Sequence, residues 1–103
     1  MADIDAIREA FEKRDYLFTA HASDRAAKRV IRSAEIEEAV AEGEVIEDYP
    51  DDKYGPSCLL CGYTAENRPL HIQVSYPPGL KIITVYEPSP DEWEDDLKTR
   101  KSK

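Results

Sequence analysis

The sequence predicts an α+β domain in which N-terminal helices pack on one face of a four-stranded antiparallel sheet. Up to Gly43, apolar residues recur at helical spacing, whereas beyond it short runs alternate between apolar and polar residues. Short connections between the last three runs favour antiparallel hairpins. A chain of 103 residues has the size of one domain with a modest core.

The predicted helices cover residues 3 to 14, 21 to 32 and 33 to 43. The first begins after Asp3, a common N-cap residue, and the third ends at Gly43. In the second helix, one arc carries His21 and the basic residues, and the opposite arc carries small and apolar residues such as Ala22 and Ala26. This helix is therefore expected to present a cationic face.

The predicted strands cover residues 45 to 49, 57 to 64, 70 to 76 and 80 to 86. Pro, Gly, Asp and Asn residues separate them, as expected for turns. We expect residues 1 to 90 to form the domain. The low-apolar segment 91 to 103 is expected to be a charged, mobile tail.

Charge is segregated along this acidic protein, which has 22 Asp and Glu, 14 Lys and Arg, and a formal charge of −8. Residues 12 to 32 contain six basic and three acidic side chains, whereas residues 33 to 52 contain nine acidic and no basic ones. The overall sign opposes bulk attraction to nucleic acid, but phosphate binding depends on local cations. A local phosphate site is therefore compatible with the composition.

The sequence contains no apolar run that approaches the roughly 18 residues of a spanning helix. Its first ten residues include Asp3, Asp5 and Glu9, whereas a signal peptide begins basic and continues apolar. We therefore expect a cytoplasmic protein that does not interact with membranes.

Two cysteines occur, Cys58 and Cys61, in a C-x-x-C motif followed by Gly62. The motif resembles half of a zinc site, but tetrahedral zinc needs two further ligands and no second pair exists. In a regular strand the two side chains point to opposite faces, which favours two buried structural thiols. A metal or redox role stays open as the alternative, and no cofactor is predicted.

The third predicted strand places His71 on the face opposite Leu70 and Ile72. His71 is therefore not expected to be a core histidine. Gln73 shares its face, and a hairpin would bring Thr84 and Tyr86 of the next strand alongside. This polar patch is either a site or inert surface.

The other histidine, His21, begins the cationic helix face, with Arg25 one turn and Arg29 two turns further on. Lys28 and Arg32 add to the same arc. Two histidines and several arginines suffice for metal-free phosphoryl transfer, because imidazoles exchange protons near neutral pH and guanidinium groups stabilise phosphate charge. The alternative is a solvated basic helix paired with the acidic helix that follows.

Several motifs in one order resemble the domain-of-unknown-function 4258 family of small bacterial and archaeal proteins. They are Phe18 to Arg25, Arg29 to Ile31, Glu35-Ile36, Glu47 to Pro50, Arg68 to Ile72, and Ile82 to Pro88. The resemblance implies a RelE-like fold and a toxin role beside a small antitoxin, often one with a zinc-finger domain. The family's motif histidines and arginines map onto His21, Arg25, Arg29, Arg68 and His71.

The leading hypothesis is a metal-independent, endoribonuclease-like toxin acting on RNA. His21 and His71 would be its acid and base, in an order that the sequence leaves open, and Arg25, Arg29 and Arg68 would hold the phosphate. Further candidates for substrate contact are Lys28, Arg32, Gln73, Thr84 and Tyr86. The alternative hypothesis is a catalytically silent domain that docks a partner protein through its basic helix, and a third is a cysteine-based metal or redox module.

Overall fold

The computed structural model describes residues 1–53 and 55–102. Its elements, in chain order within each class, are helices α1 (Ile4–Glu12), α2 (Ala20–Arg29) and α3 (Ser33–Glu42) and strands β1 (Leu17–Phe18), β2 (Glu44–Tyr49), β3 (Ser57–Tyr63), β4 (Pro69–Ser75) and β5 (Lys81–Tyr86). The strands form one sheet in the order β1-β5-β4-β3-β2. β1 runs parallel to β5, and the other neighbours are antiparallel.

The predicted α+β class is confirmed, but the sheet is five-stranded and mixed rather than four-stranded and antiparallel. The additional strand is β1, in which Leu17 pairs with Lys81 and Phe18 with Ile82. Two residues are too few to produce a periodic pattern in sequence, so alternation could not reveal this strand.

The core lies between the three helices and one face of the sheet. Ile72 and Val85 pair across β4 and β5 on this face and are fully buried. The buried helix residues include Ile7, Phe11, Ala22, Ala26, Ile36, Ala39 and Val40. Among the described residues, no helix is long and apolar enough to cross a membrane.

Helix α3 approaches β3 closely at Gly62. A Cβ atom at this position would overlap the carbonyl oxygen of Ala39 and lie 2.7 Å from its carbonyl carbon. The helix therefore rests on a strand position that has no side chain.

Residues 92–101, which we call the C-terminal hairpin, cover the part of the second sheet face that carries His71. Trp93 and Arg100 form its β-bridge, and Trp93 is only 2% exposed. Ion pairs from Lys98 to Glu44 (3.4 Å) and from Arg100 to Glu47 (2.8 Å) connect it to β2. The segment predicted as a charged tail thus carries a buried tryptophan, which the charge count conceals.

Helix α2 ends in a Schellman motif, with Ile31 N donating to Ala26 O (2.9 Å) and Val30 N to Ala27 O (3.3 Å). The left-handed position, at φ 54° and ψ 53°, is occupied by Val30, although glycine is the usual residue there. A β-branched side chain is strained in this conformation. Val30 is also 74% exposed and contributes little packing in return.

Replacing Val30 with Gly is therefore expected to stabilise the protein by about 0.5–1 kcal/mol, because relief of the left-handed strain exceeds the entropy that glycine loses on folding. Urea denaturation of the wild type and of Val30→Gly measures the difference. A less stable glycine variant would contradict the strain argument.

Candidate functional site

β1 pairs only with Lys81 and Ile82 of β5, so the rest of the outer edge of β5 has no neighbouring strand. Side chains from α2 and its N-cap satisfy two carbonyl groups there. Thr19 Oγ1 donates to Ile83 O (3.2 Å), and Arg29 Nη1 donates to Val85 O (2.7 Å). Helix α2 therefore runs alongside this edge, with its N-terminus near Ile83 and its C-terminus near Val85.

One flank of α2 carries His21, Arg25 and Arg29, spaced by one helical turn, which we call the cationic stripe. His21 and Arg29 are exposed, and Arg25 is half-buried. Within the part of the chain that the structure describes, neither Arg25 nor Arg29 pairs with a carboxylate. Lys28, by contrast, pairs with Asp24 (3.2 Å) on the same helix.

The N-cap residue Thr19 explains why α2 starts at Ala20. Its hydroxyl oxygen accepts a hydrogen bond from Ala22 N (3.0 Å) while its own proton goes to Ile83 O. Because Ala22 and Ala26 are buried against the sheet, the cationic stripe is directed along the edge of β5.

Arg68 has a different environment from the stripe. Its guanidinium donates to Val30 O (3.0 Å) and Arg29 O (3.1 Å), two carbonyl groups at the end of α2. It also pairs with Glu35 (3.1 Å) in the first turn of α3 and with Glu87 after β5. Arg68 thus joins three elements, and its donors are already engaged in holding the fold together.

These contacts lower the pKa of Glu35. The backbone N–H of Arg32 and the guanidinium of Arg68 hold the pKa of its carboxyl below the ordinary value. Arg32 lies at the N-cap of α3, and its guanidinium is 3.6 Å from the same carboxylate. Arg32 therefore also has an intramolecular partner.

His71 is fully buried, so the expectation that it is not a core histidine is wrong. The alternation along β4 correctly predicts its side of the sheet, but the C-terminal hairpin covers that side. His71 Nε2 lies 2.6 Å from Leu97 O, and the ring meets Trp93 edge-on at 4.4 Å. Nothing in the pattern of β4 indicates this cover.

The contacts of His71 fix its tautomer. A carbonyl oxygen only accepts, so Nε2 must carry the proton that is donated to Leu97 O. Nδ1 then accepts from the hydroxyl of Tyr86, 3.3 Å away. Burial lowers the pKa of His71 below its ordinary value, which favours this neutral form.

The two histidines do not meet. His71 faces the C-terminal hairpin, whereas His21 lies on α2, the helix that packs against the opposite face through Ala22 and Ala26. Only Arg25 and Arg29 accompany His21 on the stripe.

The stripe, Arg68 and His71 all fall within one stretch that matches a known family. Residues 18 to 87 match the domain of unknown function DUF4258 and make up more than half of the chain. The chain belongs to the DUF4258 family. No curated protein and no solved structure matches it. The RelE-like fold implied by the resemblance therefore stays a prediction.

The other predicted contact residues of this DUF4258 domain lie on the second face of the sheet. Gln73 and Thr84 pair across β4 and β5. Tyr86 lines a cleft of about 380 Å³ together with Arg29, Glu87, Glu92, Trp93 and Arg100. The far end of the stripe therefore opens into a cleft that carries charges of both signs.

Trp93 and Arg100 lie beyond the DUF4258 match and were missed by reasoning from the sequence. Arg100 stacks on the Trp93 ring at 4.7 Å and pairs with Glu47. The single Trp in a charged segment was the available signal, because so large an apolar side chain is seldom left in solvent.

The two cysteines of the DUF4258 domain are both buried free thiols. Cys58 belongs to the helix-side core, whereas Cys61 pairs in register with His71. Burial raises the pKa of Cys58 to about 12 and also raises that of Cys61. No group of three or more His, Cys, Asp or Glu is placed to hold a metal ion in residues 1–53 and 55–102.

Proposed function

We propose that this DUF4258 domain binds and cleaves single-stranded RNA as the toxin of a toxin–antitoxin pair. The observation that supports this proposal is the cationic stripe on α2. In a protein with eight more acidic than basic side chains, Arg25 and Arg29 pair with no carboxylate among the described residues, although one Arg29 nitrogen donates to Val85 O. Guanidinium groups of this kind suit bidentate contacts to phosphate oxygens.

His21 is the proton acceptor in this proposal, because it is exposed and one turn from Arg25. The 2′-hydroxyl oxygen of RNA forms a bond to the adjacent phosphorus, and its proton passes to His21. The bond from phosphorus to the 5′-oxygen breaks, and water supplies the proton to the leaving oxygen. The products are a 2′,3′-cyclic phosphate and a 5′-hydroxyl.

His71 would take part directly only after the C-terminal hairpin moved, since Leu97 and Trp93 occupy its surroundings. The proposal therefore assigns His71 to the architecture of the second face. Arg68 likewise supports the end of α2 through the backbone carbonyl of Arg29. The RelE-like fold and a small antitoxin with a zinc-finger domain belong to the same proposal.

Replacing Arg25 with Lys tests the stripe. Lysine keeps the charge but loses the planar fork, so cleavage of single-stranded RNA should fall about tenfold or more, while binding and its salt dependence stay nearly unchanged. Cleavage is followed on end-labelled RNA, and binding is measured at two salt concentrations. Lys13→Ala, which removes an exposed cation paired with Glu9 on α1, is the matched control.

Lys13→Ala should cleave like the wild type. A fully active Arg25→Lys variant would remove Arg25 from phosphate recognition, and a wild type without any cleavage would reject the enzymatic proposal.

A second candidate function is docking of a partner protein through α2, without catalysis. The observation that favours it is the exposure of Leu17 (67%) and Val30 (74%), which flank the stripe along the chain. Exposed apolar residues beside the cationic side chains of the stripe suit an acidic partner segment. In this case Arg25→Lys should bind the partner normally, whereas Arg25→Glu should not.

A further inference from the structure

A groove lies on the second face of the sheet, at the end that the C-terminal hairpin leaves open. Its volume is about 640 Å³, and its lining includes Thr19, Asp52, Gln73, Ser75, Pro78 and Ile83. This volume is within the range of about 300–1,000 Å³ that is typical of small-molecule sites.

The groove adjoins the cationic stripe. Thr19 lines it and is also the N-cap of α2, only two residues before His21. Ile83, whose carbonyl accepts from Thr19, lines it from β5. A ligand in the groove would therefore lie next to the position where the stripe begins.

Gln73 supplies the polar group with unused bonding capacity. Its Nε2 donates to Ser57 Oγ (3.2 Å), which is the single side-chain hydrogen bond that the carboxamide makes to the described residues. One N–H and the carbonyl oxygen remain, a donor and an acceptor on one planar group. Such a pair matches the edge of a nucleobase, as glutamine does with adenine.

The electrostatics of the groove favour a neutral ring over a second phosphate. Lys81 and Asp52 bring one charge of each sign to its lining. Pro78 and Ile83 add apolar surface, which suits the faces of a heteroaromatic ring. Single-stranded RNA is commonly recognised in this way, with bases splayed out, their faces packed and their edges hydrogen-bonded.

We infer that this groove binds one nucleobase of a single-stranded RNA and that Gln73 reads its edge. The inference rests on the proposed function for its biological substrate. The base occupies the groove, and the phosphate attached to its nucleotide lies at the start of the stripe, near His21. Gln73 is thereby a specificity residue rather than a catalytic one.

The test uses the four uncharged ribonucleosides, which lack phosphate and cannot be cleaved as RNA. Each is titrated into ¹⁵N-labelled protein, with the Gln73 side-chain amide as the reporter. We expect at least one nucleoside to shift this signal and those of neighbouring groove residues. Because Gln73→Leu removes both the donor and the acceptor of a bidentate base contact, it should weaken nucleoside binding about fivefold or more.

Two further variants sharpen the result. Gln73→Glu keeps the acceptors and loses the donors, so it should change which nucleoside binds best. Asn67→Gly is the matched control, because it removes the other carboxamide side chain of the protein at a position with φ 67°, which glycine accepts. Its nucleoside binding should equal that of the wild type.

The inference is overturned if no nucleoside shifts the groove signals at millimolar concentration, or if Gln73→Leu and Gln73→Glu both bind with wild-type affinity and preference. Nucleoside binding by a protein that cleaves no RNA would leave the groove assignment standing and reject only the proposed function. Cleavage of RNA without nucleoside binding would support the proposed function and reject the groove assignment.

Discussion

Gly62→Ala is expected to destabilise the protein by more than about 4 kcal/mol, a large fraction of the total stability of a domain of this size. The added methyl group would overlap the carbonyl oxygen of Ala39 and lie 3.1 Å from the Cα of Gly43. Both are backbone atoms, so no change of rotamer relieves the clash. Helix α3 would have to move off β3 and expose the core that it covers.

Guanidinium denaturation followed by circular dichroism measures this effect. Tyr63→Ala, at the next position of β3 and 38% exposed, is the control and should cost far less. A Gly62→Ala variant within about 1 kcal/mol of the wild type would mean that α3 is free to shift, contrary to the packing described above.

His71→Ala is expected to cost about 3 kcal/mol, because it opens a cavity beneath Trp93 and leaves the carbonyl of Leu97 without its donor. His21→Ala, on the exposed flank of α2, should change stability by less than about 0.5 kcal/mol. Equal losses for the two variants would contradict the burial of His71.

The same histidine should make stability depend on pH. Burial lowers its folded-state pKa below the ordinary value of about 6.5, so the unfolded chain takes up a proton before the folded one does. Stability should therefore fall as the pH drops below about 6.5 and should level off below the folded-state pKa. Thermal melts at several pH values measure this loss, which should be reduced in His71→Gln.

Much of the fold followed from local patterns. Helices α1 and α3 and strands β2 to β5 were predicted within a few residues of their observed bounds, because their periodicity and turn residues agree. β1 was not predicted, because it is defined by its pairing with β5, which lies far along the chain. Its two residues carry no periodic signal of their own.

The candidate site was only partly predictable. The stripe follows from helical spacing alone, so His21, Arg25 and Arg29 were found together. The burial of His71 depends instead on Trp93 and Leu97, which reach it from more than twenty residues away in sequence. A strand pattern reports which side a residue faces but not what covers that side.

The C-terminal hairpin has a practical consequence for handling the protein. It lies outside residues 18 to 87, as does α1, which contributes Ile7 and Phe11 to the core. A fragment trimmed to the family boundaries would lose both elements and would uncover His71 and the neighbouring thiol of Cys61. Such a fragment would be prone to aggregation and intermolecular oxidation, and biochemical work on the domain should therefore retain both flanks.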